Sequence, residues 1–307
     1  MYLVFVLYAF FASVFTISKT GLQYTQPLFF VGSRMAVAGV ILLAYEKWVK
    51  KRDISLQKKA LWPLLGLAVF NIYLTNAFEF WGLQYLTSFK TCFLYSLSPF
   101  FSACFSYLVF SEKMTPKKWL GMFIGFAGFL PVLMSQSREE EGMGHLFFLS
   151  WAEISVILAS VCTVYGWVLM RKVVKQEGCS PMLANGWSML GGGMLALLHS
   201  RLTENWNPVP VNSFVPFIEC FILLIIISNF ICYNLYGALL KRFTATFVSF
   251  AGFTTPLFTA FFGWFFLGEV IPPEFFISAA VVFLGLFLFN QEELKLGYAQ
   301  GIQANKV

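Results

Sequence analysis

The chain is one unit written twice. Residues 87–128 read TSFKTCFLYSLSPFFSACFSYLVFSEKMTPKKWLGMFIGFAG, and adding 157 to each number brings Thr87 onto Thr244, Pro99 onto Pro256, Phe101 onto Phe258, Ala103 onto Ala260, Phe105 onto Phe262, Glu112 onto Glu269, Pro116 onto Pro273 and Gly128 onto Gly285. No gap is needed. Upstream the echo continues with Tyr8 and Tyr165 at the same shift. It then passes to a shift of 154 at Pro27/Pro181, Gly32/Gly186, Met35/Met189 and Gly39/Gly193. A fold for this chain has to be built by using one structural unit two times.

The polarity of that unit decides its solvent. With 58% hydrophobic and 12% charged residues and a mean hydropathy of +0.72, the chain has too few polar side chains to cover a soluble globule of 307 residues. It belongs in a lipid bilayer. The net charge of +6 sits mostly in short loops, where membrane orientation accounts for it and a nucleic-acid partner is not needed. Met1 opens directly into YLVFVLYAFFASVF without a basic leader, which reads as a retained first helix. The six cysteines form no CxxC pair, and the two histidines, His145 and His199, border predicted loops. The sequence therefore implies neither a metal site nor a cofactor.

A spanning helix takes about 20 mostly apolar residues, and the chain divides into ten such runs: 1–18, 27–45, 61–81, 90–110, 119–134, 147–170, 181–198, 214–235, 244–267 and 273–289. Prolines at 116 and 273 mark helix starts. Five helices fall in each copy, and an odd number forces the copies to insert with opposite orientation. The expectation is an all-α integral membrane protein of ten transmembrane helices in two inverted repeats. Its parts are a first repeat over 1–134, an outer connecting loop over 135–148, a second repeat over 149–290 and a cytoplasmic tail over 291–307. With the N-terminus inside, 16 basic residues fall in cytoplasmic loops and the tail, against Lys19, Lys90, Arg138 and Arg201 outside. By the positive-inside rule both termini are cytoplasmic, in an inner or plasma membrane.

The second run's SRMAVAG, the block from Tyr85 to Gly128 and the repeated Pro-x12-Glu spacing together resemble the drug/metabolite transporter superfamily, EamA-like branch. The resemblance covers nearly the whole chain. It departs from strict repetition where Ser111 becomes Gly268 and Arg34 becomes Ser188. It implies a secondary transporter working by alternating access, with a central cavity built mainly by the first, third, fourth, sixth, eighth and ninth helices.

Ionisable groups at membrane depth are costly and mark function by default. Glu79 stands near the end of the third run, with Asn76 one turn before it and Tyr73 on the same face; Lys90 opens the fourth. Glu79 and Lys90 either pair across a short outer turn, take the two ends of a zwitterion, or snorkel to the interface. In the eighth run Asn229, Tyr233 and Tyr236 share a face with Asn234 beside them, and the 157 shift makes Tyr233 the counterpart of Asn76 and Tyr236 that of Glu79. Such faces meet at the axis of an inverted-repeat transporter, unless Asn and Tyr serve as interhelical glue. The fourth and ninth runs oppose Tyr95, Ser96 and Ser98 to Phe250, Thr254 and Thr255, a mixture of rings and hydroxyls suited to a flat heterocycle or organic cation. Glu153 and Glu219 are placed at the outer headgroup region. Arg34 is read as a structural pair or a snorkel, and Glu112 and Glu269 as boundary or capping residues.

The substrate-binding set is thus Tyr73, Asn76, Glu79, Lys90, Tyr95, Ser98, Asn229, Tyr233, Asn234, Tyr236, Phe250 and Thr254. Within the superfamily the sequence is similar to members that import S-adenosylmethionine, in some cases against S-adenosylhomocysteine. That resemblance implies rings for adenine and sulfonium, Glu79 for the cationic groups and Lys90 for the carboxylate. Amino acids, polyamines and drugs would use the same groups. A membrane-embedded enzyme would need a compact nucleophile, base or metal set, and the sequence offers none. A receptor or scaffold would add a soluble domain, whereas the longest loop, 46–59, is short. The partners are a small molecule and the bilayer, with a monomer or homodimer as the assembly. The basic asymmetry predicts that a reporter fused after Val307 is active only in its cytoplasmic form; activity of an export reporter there would invert the topology.

Overall fold

The computed structural model describes residues 2–55, 58–110, 115–135, 144–147, 149–175, 179–232, 235, 239 and 251–304. Their helices are α1 (Tyr2–Gly21), α2 (Pro27–Ala44), α3 (Lys58–Leu67), α4 (Thr75–Tyr85), α5 (Ser88–Tyr95), α6 (Ser98–Phe110), α7 (Pro116–Met134), α8 (Trp151–Lys175), α9 (Pro181–Thr203), α10 (Phe214–Leu224), α11 (Thr255–Phe262) and α12 (Pro273–Ala304). A short hairpin, β1 (His145–Leu146) and β2 (Leu149–Ser150), precedes α8. Seven helical stretches are long and apolar enough to cross a membrane, and a shorter apolar one runs over Gly252–Leu267. The protein is an α-helical membrane protein. The described chain clusters into two compact units, one of residues Met1–Ile17, Tyr85–Ile154 and Ile226–Val307, the other of Ser18–Gln84 and Ser155–Ile225.

In the second unit α2 and α9 run antiparallel at close range. A Cβ on Gly39 would lie 2.5 Å from Leu190 N and 2.8 Å from Gly186 O, and one on Gly32 would lie 2.7 Å from Leu197 N and 3.0 Å from Gly193 O. Only glycine lets the two backbones approach so closely, which is how helices associate when lipid removes the hydrophobic drive between them. The ends of the pair are closed by acids. The Glu204 carboxylate, just past α9, accepts from Leu28 N at 2.6 Å and Phe29 N at 2.9 Å at the start of α2. Glu46, just past α2, is buried and accepts from the Ser180 hydroxyl at 3.2 Å, while that hydroxyl caps α9 by accepting from Leu183 N. Each acid meets the positive end of the other helix. The α3–α4 segment is continuous through a π-helical stretch, Ala68–Leu74. Its last carbonyls, Leu83 O and Gln84 O, accept from Lys19 Nζ at 2.9 and 3.0 Å.

In the first unit α7 and α12 pack in the same manner, with Gly121 against Gly285 O and Phe289 N, each 2.6 Å from an added Cβ, and Gly128 against Val282. The single expected span over 90–110 is instead two helices, α5 and α6, broken at Ser96 and Leu97. The second copy breaks at the equivalent place: a 3-10 turn, Gly252–Thr254, precedes α11. Proline is the cause. Pro99 and Pro256 have no N–H to give the carbonyls of Tyr95 and Gly252 four residues back. The preceding hydroxyl donates to that carbonyl in both copies, Ser98 Oγ to Tyr95 O at 2.5 Å and Thr255 Oγ1 to Gly252 O at 2.6 Å, the latter beside a bond from Thr255 N.

The glycine contacts give a direct test. Gly39→Ala should lower stability by about 1–3 kcal/mol, because backbone on the facing helix has to move. In Gly191→Ala the added Cβ meets only the Ala68 Cβ at 3.4 Å, so thermal unfolding of the purified protein should barely shift.

Candidate functional site

The polar residues group separately in the two units. On α4 the side chains of Thr75, Asn76, Phe80 and Leu83 and the backbone of Gly82 are buried. At 100° per residue Glu79 lies at the middle of that arc, yet it keeps partial exposure. Asn76 is held at both ends of its amide: Nδ2 donates to Ile72 O at 2.8 Å, and Oδ1 accepts from Arg34 Nη2 at 3.0 Å. Arg34, on α2, is buried and its guanidinium stands 5.3 Å from the centroid of the Phe80 ring. The reading of Arg34 as a structural pair matches this geometry. Tyr73 shares a hydrogen bond of 2.9 Å with Nδ1 of His199 on α9. His199 had been set aside as a loop neighbour; it lies inside a helix, one turn before its end. Thr75 reaches Thr163 and Ala159 O on α8, and Ser155 on α8 donates to Phe78 O at 2.7 Å.

In the first unit Lys90 has a partner that the sequence reading did not choose. Its ammonium lies 2.8 Å from Glu153 Oε1 and donates to Ser135 O at 2.9 Å, with Lys90 and Glu153 only 4% and 0% exposed. This burial excludes snorkelling for Lys90, one of the alternatives the sequence leaves open, and puts Glu153 in a buried ion pair in which each charge neutralises the other. Ser150 and Glu153 form a capping box at the start of α8, Glu153 N to Ser150 Oγ and Ser150 N to Glu153 Oε2. That Ser-x-x-Glu spacing is the signal by which Glu153 was recognisable as an anchored residue. Glu219, in contrast, is exposed as expected.

Ser88 opens α5, and its N and Oγ donate to the Glu269 carboxylate at 2.7 and 2.8 Å, so Glu269 caps a helix. Tyr95 meets Phe15 edge-on. The hydroxyls of Ser96 and Thr254, like that of Ser98, are given to carbonyls of their own helices. Asn229 is buried in a π-helical stretch, Ile225–Cys232. Tyr233, Asn234, Tyr236, Phe250 and Glu112 lie outside the described residues, and so does the pairing of Asn76 with Tyr233.

Apolar helices interrupted by satisfied polar breaks, with few and paired charges, define a polytopic membrane transporter. The chain belongs to the EamA-like transporter family, whose sequence model matches residues 1–134 and 150–291. It is 39% identical to a protein of Chlamydia muridarum named S-adenosylmethionine/S-adenosylhomocysteine transporter, over 97% of this chain and 93% of that one. The protein of the same name from Chlamydia trachomatis serovar L2 is 38% identical over 97% and 91%. An uncharacterized inner membrane transporter of Escherichia coli K12 is 26% identical over 93% and 90%. A solved crystal structure, 16% identical, covers 96% of both chains with a TM-score of 0.64 and shares the fold.

Lys90→Met leaves Glu153 charged and buried, and should cost about 3–5 kcal/mol in unfolding measurements; adding Glu153→Gln should restore most of it.

Proposed function

We propose that this protein is a secondary transporter exchanging S-adenosylmethionine for S-adenosylhomocysteine across the inner membrane. In this reading its ten helices form two inverted repeats and both termini are cytoplasmic. The observation that carries the reading is the 39% identity, over nearly the full length of both chains, to the Chlamydia muridarum protein of that name. The equivalent breaks at Pro99 and Pro256, and the glycine contacts repeated under the shift of 154, support the inverted repeat. Glu79 is the substrate's electrostatic anchor. A carboxylate in a low-dielectric opening attracts a sulfonium or amine far more strongly than one in water. Tyr73, on the same helical segment, offers an aromatic ring for an adenine or the cationic centre, a contact worth about 1–2 kcal/mol when desolvated. The partner residues from the second copy are Asn229, Tyr233, Asn234 and Tyr236, with Tyr95, Ser98, Phe250 and Thr254 from the broken helices. Lys90 contacts a substrate carboxylate only in a state where its pair with Glu153 has opened.

Proteoliposomes loaded with S-adenosylhomocysteine should take up labelled S-adenosylmethionine by counterflow; uptake of an amino acid or polyamine in its place would reassign the substrate. Glu79→Gln keeps shape and hydrogen bonding but deletes the charge, and should lower that uptake at least about tenfold, equivalent to about 1.4 kcal/mol. Glu219→Gln, exposed, should leave it unchanged. A Glu79→Gln protein that transports normally would move the anchor elsewhere.

A further inference from the structure

Positions 68 and 225 are 157 apart, and at both a helix widens into the π form, over Ala68–Leu74 and over Ile225–Cys232. The sequences there, AVFNIYL and IIISNFIC, share little beyond their place in the repeat. π-helical turns are rare and recur at functional positions. In the first copy side chains add to the backbone hydrogen bonds around the π stretch, where Thr75 N already donates to Ile72 O and Phe70 O. Thr75 Oγ1 donates to Phe70 O at 2.9 Å and Asn76 Nδ2 to Ile72 O at 2.8 Å. Arg34 Nη2 in turn donates to Asn76 Oδ1 at 3.0 Å. A continuous run of hydrogen bonds therefore leads from the guanidinium on α2, through one amide, to the backbone of the π turn. The second copy is built differently. Arg34 corresponds to Ser188, which is buried and donates its hydroxyl to Asn185 O of its own helix at 3.2 Å. Serine has neither the reach nor the charge to serve as the same catch.

We propose that Arg34 is a positioning residue for transport: acting through Asn76, it holds the first π turn in one register and with it Tyr73 and Glu79. The inference rests on the transporter reading, because substrate binding is what a fixed Tyr73 and Glu79 serve.

Hydrogen exchange of the purified, full-length, substrate-free protein tests this without reference to any substrate. Arg34→Gln should raise exchange over 68–76 at least about tenfold while leaving 225–232 as it was. Arg34→Lys, which can offer Asn76 a single bond, should fall between. Asn76→Ala breaks the same run from its other member and should reproduce the local rise, which keeps the test open if Arg34→Gln does not fold. No change over 68–76, or a rise spread evenly through the protein, would reduce Arg34 to ordinary packing. On the binding side, the apparent Kd for S-adenosylmethionine should rise with Arg34→Gln and recover partly with Arg34→Lys; an unchanged Kd overturns the link to substrate. Wild-type protein that does not bind S-adenosylmethionine would sink the functional reading, and the exchange measurements would still decide the role of Arg34 in the turn.

Discussion

Within a bilayer a backbone carbonyl that loses its helical donor has no water to turn to. The chain interrupts its helices at Pro99, at Pro256 and across Ala68–Leu74, and in each case a nearby side chain donates to a carbonyl at the break. Those bonds are local: Ser98 and Thr255 stand beside the prolines, and Thr75 and Asn76 follow the π turn. The interruptions can therefore persist in lipid without water or ligand, and a helix that is broken and satisfied is a helix with a place to bend.

Charge is handled with the same economy. Lys90 is neutralised by Glu153, Glu204 and Glu46 complete helix ends, and Arg34 is bound to the amide that braces the π turn. Glu79, on the same helical arc as the buried Thr75, Asn76, Phe80 and Leu83, keeps partial exposure.

The helical membrane class and the family were legible because they depend on averaged properties, hydropathy and repeat spacing, which many residues report together. The break between α5 and α6 was half legible: Pro99 announces a lost hydrogen bond, but whether the helix kinks or splits depends on how Ser98 is used. For Lys90 the sequence suggests a chain neighbour, Glu79, as one partner, whereas Glu153, the acid it pairs with in the fold, is 63 positions away. Partners of that sort are set by packing, which a single sequence does not display. His199 was passed over for the same reason, since its meaning comes from Tyr73 across a helix contact.

The contacts of α2 with α9 hold one more implication. Under the shift of 154, Gly32 is the counterpart of Gly186 and Gly39 of Gly193, so the approach of Gly32 to Gly193 and that of Gly39 to Gly186 are a single contact made twice. A surface with this property is isologous: it is complementary to itself when turned end over end. A polypeptide of half this length, carrying only the first copy, would already possess the face needed to join a second molecule of its own kind turned end over end. In this chain the two copies of that face are joined covalently and have diverged at positions such as Arg34 and Ser188.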